Sequence, residues 1–564
     1  MNARWILPSL SPDEQRRAAS LARELDCPPV VAGILARRGV AQGGLADFLA
    51  PKLKRLADPF LLPQMREAVK RTLAAIDGGE RIVLYGDYDV DGVTSLALLT
   101  RLLRAYGAQP ATFLPSRMDE GYGLSPEGLA RCVAEFQPQL LITVDCGTSS
   151  VAEIDTLAQA GVDVVVIDHH ECPAQLPRCV ALVNPFRADA GGDFQYLCSA
   201  GLVFKFCHAL LKSRFIPTFD LKAHLDLVAL GTVADIVPLI GENRLLVQKG
   251  LEAMAETGWT GLRALMEVAG VKTPLTPGDV GFKLGPRLNA SGRLGTAQES
   301  LELLLTDDPG RALALALELD SQNRDRQKVE KTTADQAQEQ IDFDPARDAA
   351  IVVGAPGWHP GVLGIVASRI CRKHHRPTLV IGFDENGSGK GSGRSIAGFS
   401  LVEALEACRP LLDKFGGHEM AAGLALQENR FCEFQQAFKR FARERLAETD
   451  LLPRVELDGE LELGEIDLDF LSIHERLQPF GMGNAQPLWL ARGVQPLAAP
   501  VVLKEKHLRL TLGQGGTRRE AVFFGGAADP LPPPPWDIAF RIERNEWRER
   551  VTVQIQIQRI RSAE

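Results

Sequence analysis

Acidic residues and histidines end three apolar runs in the first half of this 564-residue chain. They are Asp87, Asp89 and Asp91 in GDYDVDG, Asp145 in LLITVDCG, and Asp168, His169 and His170 in VDVVVIDHH. Each run is rich in Val, Ile and Leu, which reads as parallel strands delivering side chains to one edge of a sheet. Open α/β sheets bind ligands outside the carboxyl ends of their strands. Carboxylates crowded at such an edge repel one another unless a cation sits among them. Asp235 in LVALGTVADIVPL is a fourth candidate ligand. Mixed carboxylate and imidazole donors suit Mn2+, with Mg2+ a weaker substitute. Two such ions need one bridging carboxylate. The pair clamps the attacking and leaving oxygens of a phosphoryl transfer and lowers the pKa of bound water. The residues therefore point to metal-assisted phosphoester hydrolysis.

The D-x-D-x-D-G spacing also opens a calcium-binding EF-hand loop. That loop needs Glu at its twelfth position, which is Leu98 here, and a helix before it, where RIVLY reads as a strand. In an extended segment alternate residues share a face, so Asp87, Asp89 and Asp91 are expected to point the same way. An aspartate before glycine, such as Asp145, is often only a turn or a cap. Adjacent residues of an extended chain point apart. One of His169 and His170 is therefore expected to ligate, and the other to face substrate as a phosphate donor or proton source. Asp168 would orient a histidine from behind.

Strands and helices alternate around these motifs: MREAVKRTLAAIDGG, RIVLYGD, VTSLALLTRLLRAYG, PATFLPSR, LSPEGLARCVAEF, QLLITVD, SVAEIDTLAQAG and VDVVVID. The pattern predicts an α/β fold with a parallel sheet and helices on both faces. A helical N-terminal segment (1–55) precedes this catalytic unit (56–250). A helical connector (251–340) follows, in which ALALALEL is core packing of a long helix and not a strand. A second α/β unit (341–446) starts at AAIVVGAPGWHPGVLGIVASRI. From 452 to 564 the period falls to two, as in RVELDGELELGEIDL and VTVQIQIQRI, which predicts a small antiparallel β domain. An apolar fraction of 45% and a charged fraction of 24% fit a soluble globular chain. No run approaches the roughly 18 apolar residues that span a bilayer, and MNARWILPSLSPDEQRR turns polar too early for a secretory signal. The ten cysteines show no CxxC pair and are expected to be reduced, cytoplasmic thiols. A net charge of −9 argues against nonspecific coating of nucleic acid, but leaves room for a local basic groove.

GDYDVDG, VDCG, DHH and GTVADIVPL resemble the four motifs of the DHH phosphoesterase superfamily. GWHPGVLGIVASRI, GKGSGRSIAGFSL and FGGHEMAAG resemble its DHHA1 domain. GYGL, ENRLLVQKGL, GPRLNASGRLG and PFGMGNAQP narrow the likeness to the superfamily's exonucleases specific for single-stranded DNA. It spans residue 56 to the end. The resemblance implies that Asp89 and Asp145, helped by Asp87, hold one Mn2+ or Mg2+. It implies that Asp91, Asp145, His169 and Asp235 hold the second, and that His170 contacts the scissile phosphate. Small-molecule members of the superfamily carry a histidine four residues before the middle aspartate of the first motif; Tyr85 stands there in this chain, which leaves filling of the first position dependent on substrate.

KGSGRS and GGHEMAAG are glycine-rich. The first is expected to expose backbone N–H groups beside Ser392 and Arg394, the second to place His418 at a helix N-terminus, where anions are favoured. By resemblance, Arg117, Ser392 and Arg394 bind the strand's terminal phosphate, while Arg287 and Arg293 line the path between the two α/β units. The β domain resembles an OB-fold, with Arg492, Lys504, Lys506, Arg509, Arg518 and Arg519 as its basic side and Phe523, Phe524, Trp536 and Trp547 as candidate stacking surfaces. The resemblance further implies 5′-to-3′ degradation of single-stranded DNA to nucleoside monophosphates in recombination and repair. Its partners would be a single-strand-binding protein and a RecQ-type helicase. A phosphodiesterase for short oligonucleotides or cyclic dinucleotides is the rival enzyme, though it would have no use for the extra β domain. A catalytically dead scaffold is the rival from another class, and would be expected to have lost ligands that are present here.

Overall fold

The computed structural model describes residues 3–563 apart from 42, 117–119, 121–122, 295, 346, 529 and 549; Arg117 thus lies outside the described residues. The first α/β unit is built on five strands, β1 (Ile82–Gly86), β2 (Ala111–Phe113), β3 (Leu140–Val144), β4 (Asp163–Ile167) and β5 (Ala181–Val183). Their order is β2-β1-β3-β4-β5, and every pairing is parallel. The pattern of alternation explains the two-sided core. Leu84, Ile142 and Val165 enter one apolar cluster, while Val83, Tyr85, Leu141 and Val166 enter another on the opposite face. Helices α1 (Val90–Ala105), α2 (Ser199–Ser213) and α3 (Leu225–Ala234) cover the first face.

Register decides where the chemistry emerges. Gly86 pairs with Val144, and Val144 with Ile167. The next residue of each strand, Asp87, Asp145 and Asp168, therefore leaves the sheet at one level.

The connector includes α4 (Pro309–Glu339). Within it Ala312, Leu315, Ala316 and Leu319 are buried, whereas Leu313 and Leu317 are exposed. This spacing of three and four is helical, so the apparent alternation in ALALALEL is one packed helix face. The second α/β unit contains β6 (Ile351–Pro356), α5 (Pro360–His374), β7 (Thr378–Phe383), β8 (Ser388–Arg394), β9 (Lys414–Gly417) and β10 (Ala421–Gln427), in sheet order β9-β10-β8-β7-β6.

The last strands, β11 (Trp489–Pro496), β12 (Val501–Leu503), β13 (His507–Gln514), β14 (Thr517–Phe523), β15 (Trp536–Trp547) and β16 (Arg550–Ser562), form the OB-type barrel. It closes because β11 pairs with both β15 and β13. The barrel is mixed, and not purely antiparallel as the sequence pattern suggested, since β14 runs parallel to β16. Period-two alternation fixes which face is buried and says nothing about strand direction. The first fifty residues also depart from an all-helical segment: Arg4–Ile6 is a strand pairing in parallel with Arg454–Glu456. The helices Pro12–Leu25 and Pro29–Arg37 bury Leu21, Val31, Ile34 and Leu35 in the same cluster as Trp489 and Phe540 of the barrel. No helix among the described residues is long and apolar enough to cross a membrane.

Candidate metal centre

Past β1 the chain turns sharply. A Cβ at Gly92 would lie 2.4 Å from the Asp87 carbonyl oxygen, so only glycine lets α1 start this close to the strand end. Asp89 caps α1, accepting from the backbone N–H of Asp91 at 2.9 Å and of Gly92 at 3.2 Å. Asp91 sits within the first helical turn. The three aspartates thus meet through a turn and a helix start, not through alternation along an extended strand. The buried Asp91 carboxylate accepts from the N–H of Ser199 at 2.7 Å and of Ala200 at 2.8 Å, at the N-terminus of α2. Asp145 follows β3 with φ 64, a left-handed conformation that aspartate tolerates better than most residues. Ser199 Oγ donates to its Oδ1 at 3.0 Å.

His169 Nε2 lies 3.4 Å from Asp145, 3.6 Å from Asp235 and 3.9 Å from Asp91. Three groupings bring ligand atoms within 4.8 Å of one another: Asp87 with Asp89 and Asp145, Asp91 with His169 and Asp235, and Asp145 with His169 and His170. Asp145 is common to the first and third. Asp168 points the other way. Its Oδ2 accepts from Thr148 N–H at 3.0 Å, and its Oδ1 accepts from His169 N–H at 2.8 Å and His170 N–H at 3.3 Å. The same oxygen meets His170 Nδ1 at 2.7 Å. Tyr85 is fully buried with its hydroxyl on the Gly123 carbonyl at 3.0 Å, which removes it from the centre.

Electrostatics supply the test of whether these residues fit a cation. Burial, with the charge of Asp89, pushes Asp91 up to about 7 despite two N–H donors. Burial and the charges of Asp91 and Asp89 push Asp235 up to about 9. Burial and the surrounding aspartates hold Asp145 well above the ordinary carboxylate range. Burial takes His169 down to about 4, so it is a neutral donor. Asp235 Oδ2 is buried without a hydrogen bond. Crowded carboxylates, one unmet acceptor and one neutral imidazole fit divalent cations, which would supply the missing charge. His170 behaves oppositely: burial alone would lower it, but the Asp168 carboxylate overrides this and carries it up to about 9.

The binding of Mn2+ is therefore expected to stabilise the fold. At a free concentration 100 times Kd, the gain is about 2.7 kcal/mol. Thermal unfolding of the chelated protein with and without added Mn2+ measures it, and an unchanged midpoint would contradict the site.

The phosphate-binding expectations fare unevenly. Ser392 and Arg394 lie two apart on β8 and share a face, with Arg394 Nη1 donating to Ser392 Oγ at 3.3 Å. They face α5, where a Cβ at Gly364 would lie 3.1 Å from Ser392 Oγ and 3.2 Å from Arg394 Nη2. The KGSGRS backbone is not a free cradle, because β8 is paired on both sides, with β10 and β7. His418 stands in the turn between β9 and β10, with its N–H on the Ala421 carbonyl at 2.8 Å, and not at a helix N-terminus. The glycines that suggested a helix start serve a hairpin instead. Arg287 is tied to Asp320 at 2.9 Å and to the Lys283 carbonyl at 2.6 Å. Arg293 reaches the Gly361 carbonyl at 3.2 Å, across to the second α/β unit. In the barrel Trp536 is core, with its indole N–H on Pro532, whereas Phe524 is about half exposed; the Trp547 side chain lies outside the described residues.

Comparison with known proteins settles the family. The DHH family N-terminal domain model matches residues 81–232, the DHHA1 domain model 348–444 and the RecJ OB domain model 457–559. The single-stranded-DNA-specific exonuclease RecJ of Dickeya dadantii is 37% identical over 97% of this chain and 98% of its own length. The chain belongs to the RecJ family. A crystal structure of RecJ from Thermus thermophilus in complex with Mn2+ superposes with a TM-score of 0.86 at 33% identity, covering 100% of this chain and 80% of that one. The Mg2+ complex from the same organism gives 0.80 at 32% identity, covering 100% and 79%. These two RecJ structures hold the ions that the donor set here favours.

Sequence reasoning missed the supports of this RecJ-family site. Ser199, Thr148 and Asn184 hold the acidic residues and the DHH turn in place; Asn184 Nδ2 donates to Thr148 Oγ1 and to the His170 carbonyl, both at 2.9 Å. The small-residue run CSAG at the start of α2 was the available signal for Ser199. Nothing local marks Thr148 or Asn184.

Proposed function

We propose that this protein is a metal-dependent exonuclease that degrades single-stranded DNA from 5′ to 3′ and releases nucleoside monophosphates. What carries the reading is the convergence of Asp87, Asp89, Asp91, Asp145, His169 and Asp235, in a chain of the RecJ family, on one sheet edge. Asp87, Asp89 and Asp145 would hold one Mn2+ or Mg2+, and Asp91, Asp145, His169 and Asp235 the other. Such ions supply an activated water and stabilise charge on the phosphate and the leaving oxygen. His170, kept cationic and oriented by Asp168, donates to a non-bridging oxygen of the scissile phosphate. Ser392 and Arg394, with Arg117, hold the terminal 5′ phosphate, and Arg293 steers the strand between the two α/β units. Arg287 acts mainly by tying its helix to α4, given its bond to Asp320. His418 in its exposed hairpin would touch the strand beyond that pocket. The working units are 1–55, 56–250, 251–340, 341–446 and 452–564. The protein works in the cytoplasm, in recombination and repair, beside a single-strand-binding protein and a RecQ-type helicase.

The deciding experiment is a product time course on end-labelled single strands with Mn2+, Mg2+ or chelator. Mononucleotides released stepwise from the 5′ end are expected with metal only. Release from the 3′ end, or turnover confined to dinucleotides, would refute the reading. Arg394→Ala is expected to reduce the preference for 5′-phosphorylated over 5′-hydroxyl strands by about ten-fold or more, since hydrogen bonds to a charged group contribute about 1.5–3 kcal/mol. Competition between the two strand types reads this directly, and an unchanged preference would remove Arg394 from the pocket.

A further inference from the structure

Among the described residues, two of the most exposed apolar side chains stand on segments next to Asp235 of the metal centre. Phe282 is 84% exposed and Ile236 is 72% exposed. Ile236 directly follows Asp235 and adopts φ 63, a strained backbone for a β-branched residue. Phe282 lies in a single π-helical turn, Val280–Leu284, a geometry that clusters at functional sites. The two segments are packed together. A Cβ at Gly285 would lie 3.5 Å from Ala234 Cβ, and one at Gly281 would lie 4.0 Å from Val233 Cγ1, both on the last turn of α3.

Beyond this packing a cavity of about 230 Å³ opens between the two α/β units. Gly281, Gly285, Asn289 and Arg293, spaced four residues apart, form one wall, and Ile236 and Arg326 also line it. Pro286 lines it as well. Phe282 does not itself line the cavity, but its chain neighbour Gly281 does, and its ring is turned out to solvent beside that wall. Arg326 is paired with Glu330 at 2.9 Å, so Arg293 is the cation this wall offers. One guanidinium beside an apolar ledge matches a single nucleic-acid strand, which offers phosphates on one side and bare base faces on the other. A duplex keeps its base faces stacked inside and has none to offer.

We propose that Phe282, on the segment packed against the one that carries Ile236, is a base-contact residue: its ring stacks on an unpaired base as the strand enters, and so favours single strands over duplex. The proposal rests on the single-strand nuclease reading above and adds a specificity element to it. Phe282→Ala is expected to raise KM for an oligonucleotide about ten-fold while kcat changes little, because the ring holds the strand and does not touch the reacting phosphate; a stacked base contributes about 1–3 kcal/mol. Phe282→Trp should restore KM.

A scan of oligonucleotides carrying one abasic position separates stacking from a general structural effect. The parent should lose affinity when the gap falls at one particular distance from the 5′ end, and Phe282→Ala should be insensitive to it. The change in indole emission of the Phe282→Trp variant, read on the chelated protein titrated with oligonucleotide, reports the contact without hydrolysis and so stands even if the nuclease reading fails. Unchanged KM in Phe282→Ala, the parent's abasic profile retained in that variant, or emission unmoved at saturating oligonucleotide would each overturn the proposal.

Discussion

Asp145→Ala is expected to lower the rate of strand hydrolysis on the order of 10³-fold or more, about 4 kcal/mol of barrier at about 1.36 kcal/mol per decade. Asp145 belongs to the grouping with Asp87 and Asp89 and lies 3.4 Å from His169 of the grouping with Asp91 and Asp235, so under the proposed assignment its loss would weaken both metal positions at once. The fold itself should not suffer. In the metal-free protein the buried Asp145 charge is opposed by Asp91, Asp89, Asp87 and Asp235, and its removal relieves that repulsion. The melting temperature in chelator is therefore expected to stay level or rise, while the Mn2+-induced increase largely disappears. Alanine does carry a backbone penalty at φ 64. Asp145→Asn avoids it, because asparagine tolerates the left-handed region and can still accept from Ser199. Similar losses in both variants would assign the effect to the charge. Strand binding should survive in both, since Arg394 and the ledge at Phe282 lie on other elements. Near-parental turnover in Asp145→Asn would remove the residue from its bridging position.

How much of this was legible beforehand follows from what each signal encodes. The strand ends were readable because short Val/Ile/Leu runs stop at Asp87, Asp145 and Asp168, and the sheet register then brings those residues level. The route by which Asp89 and Asp91 join them was misread. D-x-D-x-D looks like alternation along a strand, but Gly92 permits the chain to turn into α1 within two residues of Asp89, and a helical turn gathers the side chains instead. The placement of His418 at a helix start failed for a related reason: glycines signal positive φ or close approach and do not say whether a helix or a hairpin uses it. Gly417, at φ 137, serves the hairpin. The second layer of the site was invisible, because Ser199 and Asn184 meet Asp145 and His170 only after distant segments pack. Strand direction in the barrel was equally out of reach, since parallel and antiparallel neighbours bury the same alternate residues.

The second large effect is expected at Asp168, which belongs to none of the three ligand groupings but holds the DHH turn. Its two oxygens share four hydrogen bonds: Thr148 N–H on one, and the His169 N–H, the His170 N–H and the His170 ring on the other. Asparagine cannot reproduce this set, because it offers one oxygen and one NH2. With its oxygen toward the histidines, its NH2 opposes the N–H of buried Thr148; flipped, it abandons the histidine backbone and ring. Either way at least one buried N–H is left unmet, at a cost of about 1–3 kcal/mol. Activity should fall about 10–100-fold, the range for groups that orient a metal site from behind. The two consequences are separable. A thermal melt in chelator reports the unmet N–H, while kcat at saturating Mn2+ reports the misdirected His170. Both are expected to fall in Asp168→Asn, in contrast to Asp145→Asn, where only kcat should. A variant with parental kcat and parental melting temperature would show that the turn holds itself, and that the bond from Asp168 to His170 is incidental.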